Sequence, residues 1–142
     1  MTLKAEISYI HIHFLGLTLP MSKMRVLIVD DEPEILKIVV RYFGHRSEYS
    51  LFTASGPRQA LEIVRKEPPF DLLISDVEMP DMRGPVLLHE IKRISPEIRC
   101  ILMSGHVKDP VNFPIDVPFL PKPFRAGELF SAIEEVLPFL NA

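Results

Sequence analysis

Five polar residues in this 142-residue chain follow short apolar runs and carry side chains able to do chemistry together. Asp30 and Asp31 follow Arg25 to Val29, and Asp76 follows the run that starts at Phe70 and ends at Ser75. Ser104 follows Ile98 to Met103, and Lys122 follows Val117 to Leu120 by way of Pro121. One such residue is a common strand end. Five of them after four runs are hard to attribute to capping. Three carboxylates brought together repel one another, so positive charge has to offset them. Lys122 supplies one charge, and a divalent cation supplies the rest. All the donors are oxygens, which selects a hard ion. Mg²⁺ fits, because it takes few protein carboxylates and keeps sites for phosphate oxygens. No cysteine or histidine competes for the site, which argues against zinc or iron. Beside such an ion an aspartate can act as nucleophile toward a phosphoryl group. Asp76 is the expected nucleophile. Asp30 and Asp31 would hold the ion with it, and the backbone carbonyl of Glu78 would complete the shell. Lys122 would neutralise phosphoryl oxygens in the transition state, and the Ser104 hydroxyl would hydrogen-bond the product phosphate.

The chemistry requires elements that end at one rim, and the chain reads that way. Arg25 to Val29 is an apolar, β-branched run suited to a strand buried on both faces. Pro33 suits the first turn of a helix, with an acidic residue before it as a cap. Tyr49 to Ala54 reads as a second strand, and a helix runs from Pro57 to about Lys66. Phe70 to Ser75, Ile98 to Met103 and Val117 to Leu120 read as further strands. Val86 to Ile94 and Gly127 to Leu137 read as helices. Alternating β and α elements of this length predict an α/β fold, a parallel sheet with helices on both faces and right-handed crossovers. Its polar site lies beyond the C-terminal strand ends, near the switch in strand order. Pro110, Pro114 and Pro118 are four apart and would break a helix interior, so the fourth helix is expected to be shortened or irregular.

Composition narrows the class. The chain is 47% hydrophobic and 25% charged, which excludes a disordered chain. Its net charge of −3 argues against direct nucleic-acid binding, and its arginines read as solvated helix and loop charges. The single cysteine, Cys100, excludes an internal disulfide. Residues 1–23 read as a leader, and residues 24–140 as the domain. The apolar stretch Ile7 to Leu19 is shorter than a membrane span. The leader is open to three readings: an extra strand or hydrophobic arm, a flexible tail (or one not translated, with a start at Met21 or Met24), or an export or membrane signal. His11 and His13 lack a third ligand and read as solvated.

Four stretches carry a resemblance: Val26–Pro33 (VLIVDDEP), Asp71–Gly84 (DLLISDVEMPDMRG), Ile101–Gly105 (ILMSG) and Phe119–Phe124 (FLPKPF). In this order, with 45 residues from Asp31 to Asp76 and 28 from Asp76 to Ser104, the chain resembles the receiver domain of two-component response regulators. The resemblance implies a CheY-like, flavodoxin-like (β/α)5 fold, doubly wound, with strand order 2-1-3-4-5. It implies Mg²⁺ on Asp30 and Asp31, phosphate on Asp76, Ser104 as the switch hydroxyl, a cis bond before Pro123 and Phe119 as a switch aromatic. It also implies a phosphate donor, either a histidine kinase or a histidine phosphotransfer protein, and a downstream protein target.

From Ser104 to Lys122 the chain runs 18 residues, a little short for the family. This puts the family's surface of fourth helix, fifth strand and fifth helix in question, and a homodimer is left open. Glu78 stands where its side chain would overhang the site and slow a donor's approach or alter the phosphate's lifetime. A receiver ending a hybrid histidine kinase, or a receiver-like interaction module that is not phosphorylated, are the alternatives. Phosphatases of the haloacid-dehalogenase type carry a second aspartate two residues after the nucleophile. Here that residue is Glu78, so the chain is expected to catalyse only its own phosphorylation and dephosphorylation. Only two residues follow Leu140, so no DNA-binding domain is expected, and the expected location is cytoplasmic without membrane contact.

Overall fold

The computed structural model describes residues 10–14, 17–21, 23–67, 69–105 and 116–138. The elements in chain order are β1 (Ile10–Phe14), β2 (Leu17–Met21), β3 (Met24–Val29), α1 (Pro33–Phe43), β4 (Tyr49–Ala54), α2 (Pro57–Lys66), β5 (Leu72–Asp76), α3 (Gly84–Ile94), β6 (Arg99–Ser104), β7 (Phe119–Pro121) and α4 (Ala126–Val136). Strands β3 to β7 form one parallel sheet in the order β4-β3-β5-β6-β7. Numbered along the sheet's own chain order, this is 2-1-3-4-5. In the leader, β1 and β2 pair antiparallel as a separate two-stranded sheet.

Strand side chains alternate between faces, and in this sheet both faces are apolar. Val26, Ile28, Leu72, Ile74, Ile101 and Met103 pack with Val39 and Phe43 of α1 and with Leu129 and Ile133 of α4. Leu27, Val29, Leu73 and Leu102 pack on the other side with Ala60 and Val64 of α2 and with Leu87 and Ile91 of α3. The continuous apolar runs of the sequence are therefore two cores interleaved residue by residue.

Helix starts follow the prolines. Pro33, Pro57 and Pro85 each lie in a first turn, where a missing N–H costs nothing. The third helix therefore begins at Gly84, before the Val86 read from periodicity. Glu32 does occupy the cap position of α1, but its side chain makes no cap hydrogen bond. The shorter Asp30 side chain accepts the Glu32 N–H instead, at 2.9 Å. Gly44 closes α1 with φ +55°, a backbone that favours glycine.

The third strand begins at Leu72, later than the Phe70 read from the sequence. Asp71 turns its carboxylate to the Arg25 N–H, at 2.7 Å. The last strand is Phe119–Pro121, not Val117 to Leu120. Pro118 has no N–H for the ladder and contributes only its carbonyl, to Leu102 N at 3.0 Å. The shortened fourth helix expected from the prolines falls at 106–115, outside the described residues.

Candidate functional site

Chain order reverses at β3, which is followed in sequence by β4 on one side and β5 on the other. The register pairs Val29 with Ser75, so Asp30 leaves β3 beside Asp76, the last residue of β5. Asp30 is fully buried, Asp76 is 4% exposed, and Asp31 is exposed. Carboxylate oxygens of Asp30, Asp31 and Asp76 lie within 4.8 Å of one another.

Lys122 reaches this cluster from the far edge of the sheet. Its Nζ donates to Asp30 Oδ2 at 2.7 Å and stands 3.2 Å from Asp76 Oδ1 and 3.9 Å from Glu32 Oε1. The Lys122 backbone N–H donates to the Ser104 carbonyl at 2.8 Å, which fixes the lysine to the end of β6. Ser104 itself is buried there. The Lys122–Pro123 bond is cis. Phe119 is half-buried against the core that contains Leu102.

The charges are unequal, and the carboxyl of Asp76 registers it. Burial pushes its pKa up, the Asp30 charge pushes it further, and Lys122 offsets only part, leaving it at about 6. Burial alone would pull Lys122 down. Its hydrogen bond to Asp30 and the charges of Asp30 and Asp76 outweigh that and hold it above the ordinary lysine value. A buried carboxylate so poorly compensated, in an all-oxygen cluster, is what a hard cation would relieve. The three aspartates can hold a metal ion.

Glu78 is exposed, and its side chain is drawn to Arg83, with Oε1 accepting from Nη2 at 3.0 Å. Arg83 is thus a partnered residue, and Arg46 likewise lies over the Phe130 ring at 3.6 Å. Three residues that matter here were not singled out by sequence reasoning. Glu32 borders Lys122. Tyr42 ties α1 to the segment after Lys122. Gly84 lies so close to β5 that an added Cβ would stand 2.3 Å from the Asp76 carbonyl oxygen. A glycine at the end of the Asp71–Gly84 motif was a usable signal. Glu32 was read only as a helix cap, within the Val26–Pro33 motif, and Tyr42 left no signal.

A doubly wound parallel sheet with an acid pair, an aspartate and a lysine at its switch point is a site suited to a hard cation and a phosphoryl group. A family model described as response regulator receiver domain matches residues 26–134, and the chain belongs to that family. Sensor kinase CckA of Brucella abortus (strain 2308) is 38% identical over 117 residues, covering 79% of this chain but 12% of the kinase. Sporulation initiation phosphotransferase F of Bacillus subtilis (strain 168) is 34% identical over 122 residues, covering 83% of this chain and 97% of that protein. The crystal structure of the signal receiver domain of an HD domain-containing protein from Pseudomonas fluorescens Pf-5 superposes with a TM-score of 0.73 at 28% identity, over 82% of this chain and 96% of that one. Receiver domains work in two-component signalling, where they interact with histidine kinases or phosphotransfer proteins. Among the described residues no helix is long and apolar enough to cross a membrane.

Proposed function

We propose that the chain accepts a phosphoryl group on Asp76 from a phosphohistidine of a histidine kinase or histidine phosphotransfer protein. The observation that carries this is the placement of Lys122 Nζ between Asp30 and Asp76, 2.7 and 3.2 Å away. An Asp76 carboxylate oxygen forms the new O–P bond as the N–P bond of the donor breaks and the imidazole leaves. Lys122 sets its positive charge where the transferring oxygens gain negative charge. The Ser104 hydroxyl, buried at the end of β6, is the donor assigned to a phosphate oxygen on Asp76. Asp30, Asp31, Asp76 and the Glu78 backbone carbonyl are the residues that would hold Mg²⁺, and bound there it supplies the divalent charge the three carboxylates lack. Attack of water on phosphorus returns Asp76 to the carboxylate, so the chain acts on itself and not on an outside substrate. The output is a protein-interaction surface switched through Ser104 and Phe119 toward a downstream protein in the cytoplasm, without direct nucleic-acid contact.

Intact mass tests this reading. After incubation with acetyl phosphate, a gain of about 80 Da, one phosphoryl group, should need both Mg²⁺ and Asp76 and be absent from Asp76→Asn. Absence of any gain in the wild type, from acetyl phosphate and from a phosphohistidine donor alike, would leave a receiver fold that serves as an unmodified binding platform.

A further inference from the structure

Lys122 has to hold its ammonium over Asp76 from an edge strand of only three residues, Phe119–Pro121. One side of its backbone is fixed by the hydrogen bond to the Ser104 carbonyl at 2.8 Å. The other side is the segment Pro123–Phe124, and the tie found there comes from a distant helix. The Tyr42 hydroxyl, on α1, donates to the Phe124 carbonyl at 2.7 Å across 82 residues of sequence. The two rings also pack, with centroids 6.1 Å apart. Phe124 is buried, so its ring anchors the segment in the core while the hydroxyl fixes its carbonyl.

We propose that Tyr42 is a positioning residue for the phosphoryl-transfer reaction, acting through the Phe124 carbonyl to hold Lys122 over Asp30 and Asp76. The proposal rests on the reading of Asp76 as phosphoacceptor. An ammonium on a four-carbon stem has many rotamers, and its value to a transition state depends on arriving at one place. The stem is set by its Cα, and that Cα lies two residues from the carbonyl that Tyr42 holds. With the hydroxyl gone, the ring packing remains and the carbonyl loses its donor. The segment then has one backbone anchor in place of two. The hydroxyl itself touches no reacting atom.

Tyr42→Phe removes the oxygen and keeps the ring, so the fold should survive, as far-UV circular dichroism would show. Two readouts are taken on the full chain. The first is the Lys122 ammonium signal in ¹H–¹⁵N spectra, which reports its hydrogen bond to Asp30 without any phosphorylation. The second is the rate of Asp76 labelling by acetyl phosphate with Mg²⁺ over a range of donor concentrations. We expect the ammonium signal to shift or broaden. The saturating rate should fall roughly three- to tenfold, the range set by losing one ordinary hydrogen bond, with the half-saturating donor concentration unchanged. An unmoved ammonium signal or an unchanged saturating rate overturns the proposal, as does a change confined to half-saturation. A wild type that is not labelled at Asp76 would instead break the phosphoacceptor reading, and the ammonium signal would still decide whether Tyr42 positions Lys122.

Discussion

At the C-terminal rim of the sheet, one ammonium stands among the carboxylates of Asp30, Asp31 and Asp76. Toward the N-terminal rim the pattern is reversed. The Arg25 guanidinium lies over the rings of Phe52 and Phe70, 4.7 and 4.9 Å from their centroids, with Glu67 at 3.5 Å. Both rims place a charge at a strand end, yet they do different work. Arg25 is matched by one carboxylate and covered by two aromatic faces. Its Nε and Nη2 are buried without a hydrogen bond, so packing and diffuse electrostatics hold it. The opposite rim keeps an unbalanced negative charge close to solvent, and imbalance of that kind invites a ligand. In this molecule the charged strand end that forms the candidate site is the one whose charge is left uncompensated.

Gly84→Ala should disturb the site rim most. Its Cβ would meet the Asp76 backbone at 2.3 Å, and backbone cannot swing aside. Chemical denaturation should show a loss of about 3 kcal/mol, at the upper end for overpacking, with slower Asp76 labelling. Unchanged stability would mean that the α3 start can shift away from β5 at little cost.

Asp76→Asn should do the opposite in metal-free buffer at pH 7. The Asp76 pKa is raised from the ordinary 3.8 to about 6, so the folded chain holds this proton more tightly than the unfolded chain. Stability linked to it is full below about pH 4, is lost as pH rises through about 6, and stays lost above. Removing the charge should therefore raise stability at pH 7, on the order of 2 kcal/mol, and flatten the pH dependence between about pH 4 and about pH 6. Adding Mg²⁺ should narrow the gap by stabilising the wild type alone. A less stable Asp76→Asn without metal would show that Lys122 already balances the cluster.

The N-terminal rim should respond more weakly and without touching the chemistry. Arg25→Ala removes the guanidinium over two rings together with its aliphatic stem and should cost about 1–2 kcal/mol. Arg25→Met refills that space and should recover most of the loss, because poorly hydrogen-bonded buried charge contributes little net stability. Labelling at Asp76 should match wild type in both. If Met proves as damaging as Ala, the Glu67 ion pair holds this rim, and the two rims are more alike than their geometry indicates.

Much of this arrangement was legible in the residues. Val26 to Val29 reads as a strand buried on both faces because a parallel sheet under two helix layers has no polar face to show. Asp30, Asp31, Asp76, Ser104 and Lys122 could be named together because strand ends of such a sheet share one rim. Strand boundaries were misplaced at Asp71, whose carboxylate takes the Arg25 N–H beside its own backbone bonds, and at Pro118, which has no N–H. Apolar periodicity carries no record of either.

The order of apolar runs, prolines and strand-end acids thus determined the fold class, the rim and the candidate residues, because periodicity and covalent backbone limits act locally. Only the tertiary structure decided which oxygens Lys122 meets, that Asp76 is the carboxyl raised to about 6, that Glu78 pairs with Arg83, that Tyr42 bonds the Phe124 carbonyl, and that Gly84 packs against the Asp76 backbone. Those facts depend on distances of a few ångströms between residues as many as 92 positions apart in the chain. Coulomb energy, burial and steric contact are set by such distances in space, and sequence spacing does not contain them.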